Sequence, residues 1–265
     1  MTTLTLPPAL EPAPLAGPAG VPFGRLVRVE LRKLVDTRAS RWLLAGIAAL
    51  TPVIVVVMLV AVKPHDLTYE KFVDFTQAPQ KYLLPVLGIL TVTSEWSQRT
   101  GLVTFTLAPN RGRVLCAKAA AALLAGLLVI VLAFVAAAAG NALGGPLRGG
   151  DGSWSFGAGG FRDIVLVLLI GLAQGLAFGM LLLVSAAAIV TYFVLPNVSS
   201  VVFNTAPGLK ADEKWFDLNT STSSLYSHDT TPHGWLQMLS ATLIWVVLPA
   251  VPGVLRVLRS EVKSG

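Results

Sequence analysis

The residues most able to do chemistry in this chain are three histidines, and their surroundings argue against a catalytic site. His65, His228 and His233 fall in predicted loops, and neither a GxSxG nor an HExxH pattern occurs. An intramembrane hydrolase needs a nucleophile with a base at membrane depth. The single cysteine, Cys116, cannot form an internal disulfide and matches no metal-ligand spacing. We therefore predict no catalytic, metal or cofactor site on this chain, and we interpret its histidines and acidic residues as solvated loop residues.

Nucleotide binding and proton coupling are disfavoured as well. The sequence has neither a GxxxxGK[ST] loop nor a dinucleotide fingerprint. A proton-coupled carrier usually needs a carboxylate buried in the middle of a span, and Glu95 falls only at the end of a predicted span. A stripe of small residues at Gly171, Gly175 and Gly179 suits close approach between helices. We expect it to pack within the chain rather than between subunits.

The composition points to a lipid environment for the elements that carry these residues. The chain has 265 residues, of which 54% are hydrophobic and 13% charged, and its mean hydropathy is +0.70. Soluble domains carry roughly 25% charged residues. The net charge of +6 fits the excess of Lys and Arg in cytoplasmic loops better than a nucleic-acid surface.

The chain begins with two segments that do not span. Residues 1–22 contain six prolines and predict a disordered tail. Residues 23–40 place apolar side chains at helical spacing between basic ones, which predicts an amphipathic helix lying along the membrane interface. An ordinary solvated helix of a soluble domain is the alternative.

Apolar runs of about 20 residues predict the membrane domain over residues 41–259. We expect an all-α integral membrane protein with six transmembrane helices at about 42–62, 80–97, 114–140, 163–183, 185–203 and 235–256, followed by a cytoplasmic tail at 260–265. The uncharged stretch 164–203 is too long for one span, so it must fold back near Leu183–Ser185, and Pro196 should kink the fifth span. Lys118 is placed to snorkel at the start of the third span. The second span is the weakest, because Glu95 and Arg99 interrupt its apolar run.

Charge decides the predicted orientation. With both ends inside, the inner segments carry 13 of the 20 basic residues and 5 of the 14 acidic ones. The positive-inside rule favours this arrangement over the reverse. The sequence therefore predicts cytoplasmic N- and C-termini.

The predicted inner segment 95–118 reads EWSQRTGLVTFTLAPNRGRVLCAK. It resembles the first inner loop of the membrane subunits of type-2 ABC exporters, in which a Glu, an Arg/Gly-Thr pair, an apolar stretch, a Pro and then Arg and Lys precede the third span. Glu95, Thr100, Pro109, Arg111 and Lys118 match that pattern. The basic helix before the first span and the long last outer loop are also similar to the family.

The resemblance implies a multi-pass permease of the plasma membrane that is not itself an enzyme. It would pair with a second or related permease and with two separate ABC nucleotide-binding subunits, which alone would bind ATP and Mg²⁺. Spans one, two and five would line the route of an apolar or amphipathic substrate: a lipid, a drug or a peptide. The implied ATPase-coupling interface comprises Arg25, Arg28, Arg32, Lys33, Glu95, Arg99, Thr100, Pro109, Arg111 and Arg113.

Two other classes of function stay open at this point. The chain could be a non-transporting membrane anchor or immunity subunit that recruits partners, or an intramembrane enzyme. Dependence of transport on an added ATPase would separate an exporter from an anchor. Alanine at His228 and His233 would test the enzyme.

Overall fold

Regular secondary structure in the described part of the chain is entirely helical. The structure, a computed structural model, describes residues 21–97, 110–206, 208–226 and 230–259. Its helices are α1 (Phe23–Asp36), α2 (Arg38–Ala61), α3 (Tyr69–Ser97), α4 (Arg111–Arg148), α5 (Ala158–Leu182), α6 (Ser185–Thr205), α7 (Glu213–Phe216), α8 (Leu218–Tyr226), α9 (Pro232–Thr242) and α10 (Leu248–Arg259). Short 3₁₀ turns lie at Pro64–Asp66 and Lys210–Asp212, and a π-helical turn at Leu243–Val247 joins α9 to α10.

Five of the described helices are long and apolar enough to cross a membrane: α2, α4, α5, α6 and the continuous helix formed by α9 and α10. Their length and composition indicate a membrane-embedded, multi-pass protein. The 29-residue α3 is long enough but is not among the five. Its first half carries Glu70, Lys71, Asp74 and Lys81, which lower its hydropathy.

Local sequence explains where several helices begin and end. The side chain of Asn110 caps α4 by accepting a hydrogen bond from the backbone N–H of Arg113 at 3.1 Å. Thr231 caps α9 in the same way, and Pro232 follows it at the first helical position. Leu183 ends α5 in the left-handed region, with φ of 57°. At this residue the uncharged stretch 164–203 is divided between α5 and α6.

The least apolar of the long helices, α3, lies at the centre of the bundle. It packs against α2, α4, α5 and α6. Five polar side chains of α3 are buried among these neighbours: Thr76, Gln77, Gln80, Thr91 and Thr93. The threonine hydroxyls donate back to carbonyls of their own helix, as Thr91 does to Leu87 at 2.7 Å. A helix covered on most sides by other helices does not need a lipid-facing apolar surface, which accounts for its composition.

Contacts between helix ends place both ends of the described chain at one end of the bundle. We call this end the α1 end. It comprises α1, the start of α4 and the C-terminal ends of α3, α5 and α10. At the opposite end, the N–H of Tyr69 donates to the carbonyl of Ser153 at 3.0 Å. The ring of Tyr69 packs there against Trp154, Phe156 and Phe161. Because α3 reaches both groups of contacts, it runs the length of the bundle.

Candidate functional site

Four charged side chains from three helices form a buried ion-pair cluster at the α1 end. Lys118 lies 2.7 Å from an oxygen of Glu30 and 2.9 Å from an oxygen of Glu95. Lys33 lies 2.8 Å from Glu30 and 2.6 Å from Glu95. The side chains of Lys118, Glu30 and Glu95 are each only 5% exposed, whereas that of Lys33 is 36% exposed. We call these four residues the charge cluster.

Each member of the charge cluster is held by a regular helix. Glu30 and Lys33 are three residues apart on α1 and therefore share a face. Glu95 lies in the last turn of α3, and Lys118 lies two turns into α4. Leu34 is buried beside them on α1, so the apolar face of α1 and the cluster are directed toward the same neighbours.

The charge cluster has no net charge, because two ammonium groups face two carboxylates. Burying an unpaired charge is expensive, and a buried pair is tolerated when its partners satisfy each other closely. Burial alone would lower the pKa of Lys33. The hydrogen bonds and charges of Glu30 and Glu95 outweigh that effect and raise the pKa of Lys33 above its ordinary value. The arrangement therefore holds α1, α3 and α4 together while Lys33 stays charged.

A shallow cleft beside the charge cluster joins it to the end of α10. The cleft is lined by Val92, Glu95, Trp96, Arg111, Val114, Leu115, Lys118 and Val257. A guanidinium nitrogen of Arg111 donates to the carbonyl of Leu258 at 3.4 Å. The start of α4 is thus in contact with α10 as well as with α1 and α3.

The predicted coupling residues fall into three groups. Lys33 and Glu95 belong to the charge cluster, and Arg111 lines the cleft next to it. Four exposed arginines lie around this end: Arg25, Arg28, Arg32 and Arg113. Arg32 pairs with Asp36 at 3.3 Å on the exposed side of α1. Arg99, Thr100 and Pro109 lie outside the described residues.

Two interpretations are wrong: that the acidic residues are solvated, since Asp163 and Asp217 are buried as well as Glu95, and that Lys118 snorkels. Glu95 is not a solvated loop residue, because it is 4% exposed and touches two lysines. Lys118 does not snorkel toward water: it is also 4% exposed, and its ammonium group lies between Glu30 and Glu95. In both cases the pairing partner comes from another helix, which a linear pattern does not indicate.

Glu30 was missed as a site residue, although its position carries a signal. Leu26, Glu30 and Leu34 are spaced four apart and therefore share one face of α1. An acidic residue on the apolar face of an amphipathic helix needs a basic partner from the element that covers it. Lys118, at the start of an otherwise uncharged apolar run, is that partner.

The comparison of this chain with protein-family models, curated proteins and solved structures finds no match.

The glycine stripe of α5 packs against α3 within the chain. A methyl group added to Gly175 would overlap the carbonyl oxygen of Pro85. One added to Gly179 would come within 3.2 Å of the backbone of Ile89, and one at Gly171 within 3.4 Å of the Pro85 ring. The absent side chains let α5 lie directly on the central helix.

The histidines form no catalytic group in the described residues. His65 is exposed and lies 3.4 Å from Asp66, and the ring of His233 packs edge-on against Trp215. His228 lies outside the described residues. No group of three or more His, Cys, Asp and Glu residues that could hold a metal ion is found in the ranges that the structure describes.

Proposed function

We propose that this chain is the transmembrane subunit of an ABC exporter in the cell membrane. It would have six spans, with α3 as the second, and an interfacial helix, α1. ATP would be hydrolysed by separate nucleotide-binding subunits, two of which would serve a pair of permeases. Neither ATP nor Mg²⁺ would bind to the chain itself. The substrate would be apolar or amphipathic.

The observation that carries the proposal is the charge cluster. Residues 98–109, which make up half of the segment 95–118 that resembles the exporter family, are flanked by α3 and α4. Glu95 precedes this segment, Lys118 follows it, and both are paired with Glu30 or Lys33 of α1. A force applied to α1 or to the segment would therefore reach two long helices through buried, charge-assisted contacts. A permease driven by a separate ATPase needs such a linkage.

The distribution of charge supports placing the α1 end in the cytoplasm. Among the described residues, this end carries eleven Lys and Arg against three Asp and Glu, whereas the opposite end carries seven against eight. The positive-inside rule assigns the basic end to the cytoplasm. The exposed Arg25, Arg28 and Arg113 would then be available to a cytoplasmic partner.

The rigid connection suggests how coupling would work. ATP-driven closure of the partners would push on α1 and on the segment between α3 and α4. Because the charge cluster ties these helices together, each permease would move largely as a body relative to its partner permease. The route between the two permeases would open or close with that movement.

The test is reconstitution with a nucleotide-binding subunit that carries a Walker A motif. Efflux of a fluorescent lipophilic amphiphile from vesicles, and ATPase activity, are measured with the wild-type chain and with an Arg111→Glu/Arg113→Glu variant. The charge reversal should abolish both copurification of the ATPase and efflux. Arg148→Glu is the matched control, because Arg148 is exposed at the opposite end of α4, and this variant should retain both.

Each outcome has a distinct meaning. Unchanged association of the Arg111→Glu/Arg113→Glu variant would remove the docking role from the start of α4. Association with an ATPase without ATP-driven efflux of any amphiphile tested would contradict the exporter and favour a recruiting anchor. Elution profiles of the variants in detergent establish that each chain is folded before the comparison is made.

A further inference from the structure

Lys81, on the central helix α3, contacts a tyrosine ring and forms no ion pair with a described carboxylate. Its ammonium nitrogen is 4.7 Å from the centroid of the Tyr226 ring. None of the ion pairs among the described residues includes Lys81. An ammonium group over an aromatic face is stabilised by the ring quadrupole, but its charge is not neutralised. Lys81 therefore differs from Lys33 and Lys118, which are each paired with two carboxylates.

Lys81 adjoins a group of three tyrosines from three helices, of which Tyr226 contacts it directly. Tyr82 follows Lys81 on α3, Tyr192 lies on α6, and Tyr226 ends α8. The hydroxyl of Tyr192 lies against Gly171 of α5. The ring of Phe193 contacts those of Tyr82 and Tyr192, with centroid distances of 6.4 Å and 5.0 Å.

The group remains open to the surface of the bundle and rich in hydrogen-bond donors. Lys81 is exposed, Tyr82 is 55% exposed and Tyr226 is 38% exposed. Burial of its ring and the proximity of Tyr82 raise the pKa of Tyr226 to about 12. At neutral pH, Tyr226 keeps its proton and can donate it in a hydrogen bond. An ammonium group together with phenolic O–H groups forms a set of donors that suits an anion.

The surroundings indicate what kind of anion would bind. Lys81 lies fourteen residues along α3 from Glu95, which corresponds to about 21 Å at the helical rise. Helix α6, which contacts Tyr82 through Phe193, presents an exposed apolar stripe at Val190, Val194 and Val198. An uncompensated ammonium group beside lipid chains is unfavourable, and an anionic head group would compensate it. The apolar stripe would receive a hydrocarbon chain, which a small soluble anion does not have.

We propose that Lys81, with the hydroxyls of Tyr82 and Tyr226, binds the anionic head group of a membrane amphiphile whose apolar chain lies along α6. Phosphate or carboxylate would serve as the head group. The site depends on the chain being embedded in a membrane, but it does not depend on an ATPase partner. Its test is therefore independent of the test of the exporter function.

The experiment is native mass spectrometry of the full-length chain in detergent, incubated with equimolar phosphatidylglycerol and phosphatidylcholine. The wild type should retain phosphatidylglycerol preferentially. Lys81→Gln should reduce that preference by about five-fold, the effect of one basic side chain on an anionic lipid. Lys81→Arg, which keeps the charge, should preserve it, and Tyr226→Phe should reduce it. Lys214→Gln is the matched control, because Lys214 is exposed on the segment that precedes α8.

The assignment is overturned by any of three results. The first is equal retention of both lipids by the wild type, and the second is an unchanged lipid preference in Lys81→Gln. The third is a loss of preference in Lys214→Gln as large as that in Lys81→Gln. Inorganic phosphate added at the concentration of the lipid distinguishes the two sources of the anion. It should leave the bound lipid in place, and displacement would identify a site for soluble anions instead.

Discussion

Replacing Lys118 by methionine should release α1 from the rest of the bundle. The ammonium group of Lys118 contacts Glu30 at 2.7 Å and Glu95 at 2.9 Å, and all three side chains are about 5% exposed. Methionine fills a similar volume but removes the charge, so Lys33 becomes the one lysine of the charge cluster that faces its two buried carboxylates. Breaking a buried ion pair by removing one partner costs about 3–5 kcal/mol. Since 1.4 kcal/mol corresponds to a factor of ten, the docking equilibrium of α1 should shift by a factor of roughly 100 or more.

A second variant separates the effect of charge from that of shape. In Glu30→Gln/Lys118→Met, the remaining members of the charge cluster are Lys33 and Glu95, which lie 2.6 Å apart and neutralise each other. Because no unpaired charge is left buried, the double variant should be less destabilised than Lys118→Met alone. With Glu30→Gln measured alone, the three variants and the wild type complete a double-mutant cycle that gives the coupling between Glu30 and Lys118.

Cysteine labelling reports on the release of α1 directly. The native thiol is first removed by Cys116→Ser, since Cys116 is exposed. Leu34→Cys then places a thiol at a position that is 4% exposed, and Val35→Cys places one at a neighbouring position that is 57% exposed. The rate of maleimide labelling at position 34 should rise roughly 100-fold in Lys118→Met, in proportion to the shift in docking. The rate at position 35 should not change.

Three labelling results would contradict the predicted release of α1. If position 34 is labelled equally slowly with and without Lys118, the charge cluster does not hold α1. If the double variant is labelled as fast as Lys118→Met, the loss is one of packing and not of charge balance. Equal acceleration at positions 34 and 35 would indicate general unfolding of the chain.

Three further perturbations test other parts of the fold. The pKa of Lys33 is raised above 10.5 in the folded protein, so the protonated form favours folding. The contribution of Lys33 to stability should be complete below pH 10.5 and lost above its raised pKa. Thermal stability should therefore fall more at alkaline pH in the wild type than in Lys33→Met. Gly175→Ala should cost about 1–3 kcal/mol, since its methyl group would overlap the backbone of Pro85; Gly46→Ala, where nothing lies within 4 Å, should be neutral or stabilising in the same thermal-shift assay. Asp217→Ala should cost about 1–2 kcal/mol, because this fully buried carboxylate accepts hydrogen bonds from a serine of α6 and from the backbone N–H of Thr220; loss of α8 protection in hydrogen exchange is the measurement, and unchanged protection would contradict it.

The helical class of the fold follows from the sequence because apolar runs of sufficient length have few other solutions. The all-helical prediction is confirmed for the described residues, and five helices meet the length and composition of membrane spans. The expected second span at 80–97 falls within α3, which begins eleven residues earlier, at Tyr69. Hydropathy could not indicate that start, because the first turns of α3 carry the charged residues Glu70, Lys71 and Asp74.

The charge cluster could not be predicted because ion pairing across helices depends on packing and not on spacing. The sequence predicts Lys33 and Glu95 as members of a coupling surface, and in the structure they contact each other across 62 positions of the chain. Within the charge cluster, the pair formed by Glu30 and Lys33 is the one that has a helical spacing. The position of Glu30 on the apolar face of α1 is the one sequence signal that could have indicated a buried pair.

The central position of α3 connects the two proposed sites physically. Glu95 ties one end of this helix to α1 and α4, and Lys81 lies about 21 Å farther along the same helix, beside α6. Close packing against α5 at Gly175 and Gly179 leaves α3 little room to bend independently of its neighbour. A displacement of α1 would therefore move Lys81 together with Glu95, relative to any surface outside the bundle. Under the exporter proposal, force applied at the α1 end would reach the amphiphile site through this helix, so substitutions in the charge cluster should change coupled efflux while leaving lipid retention at Lys81 unchanged.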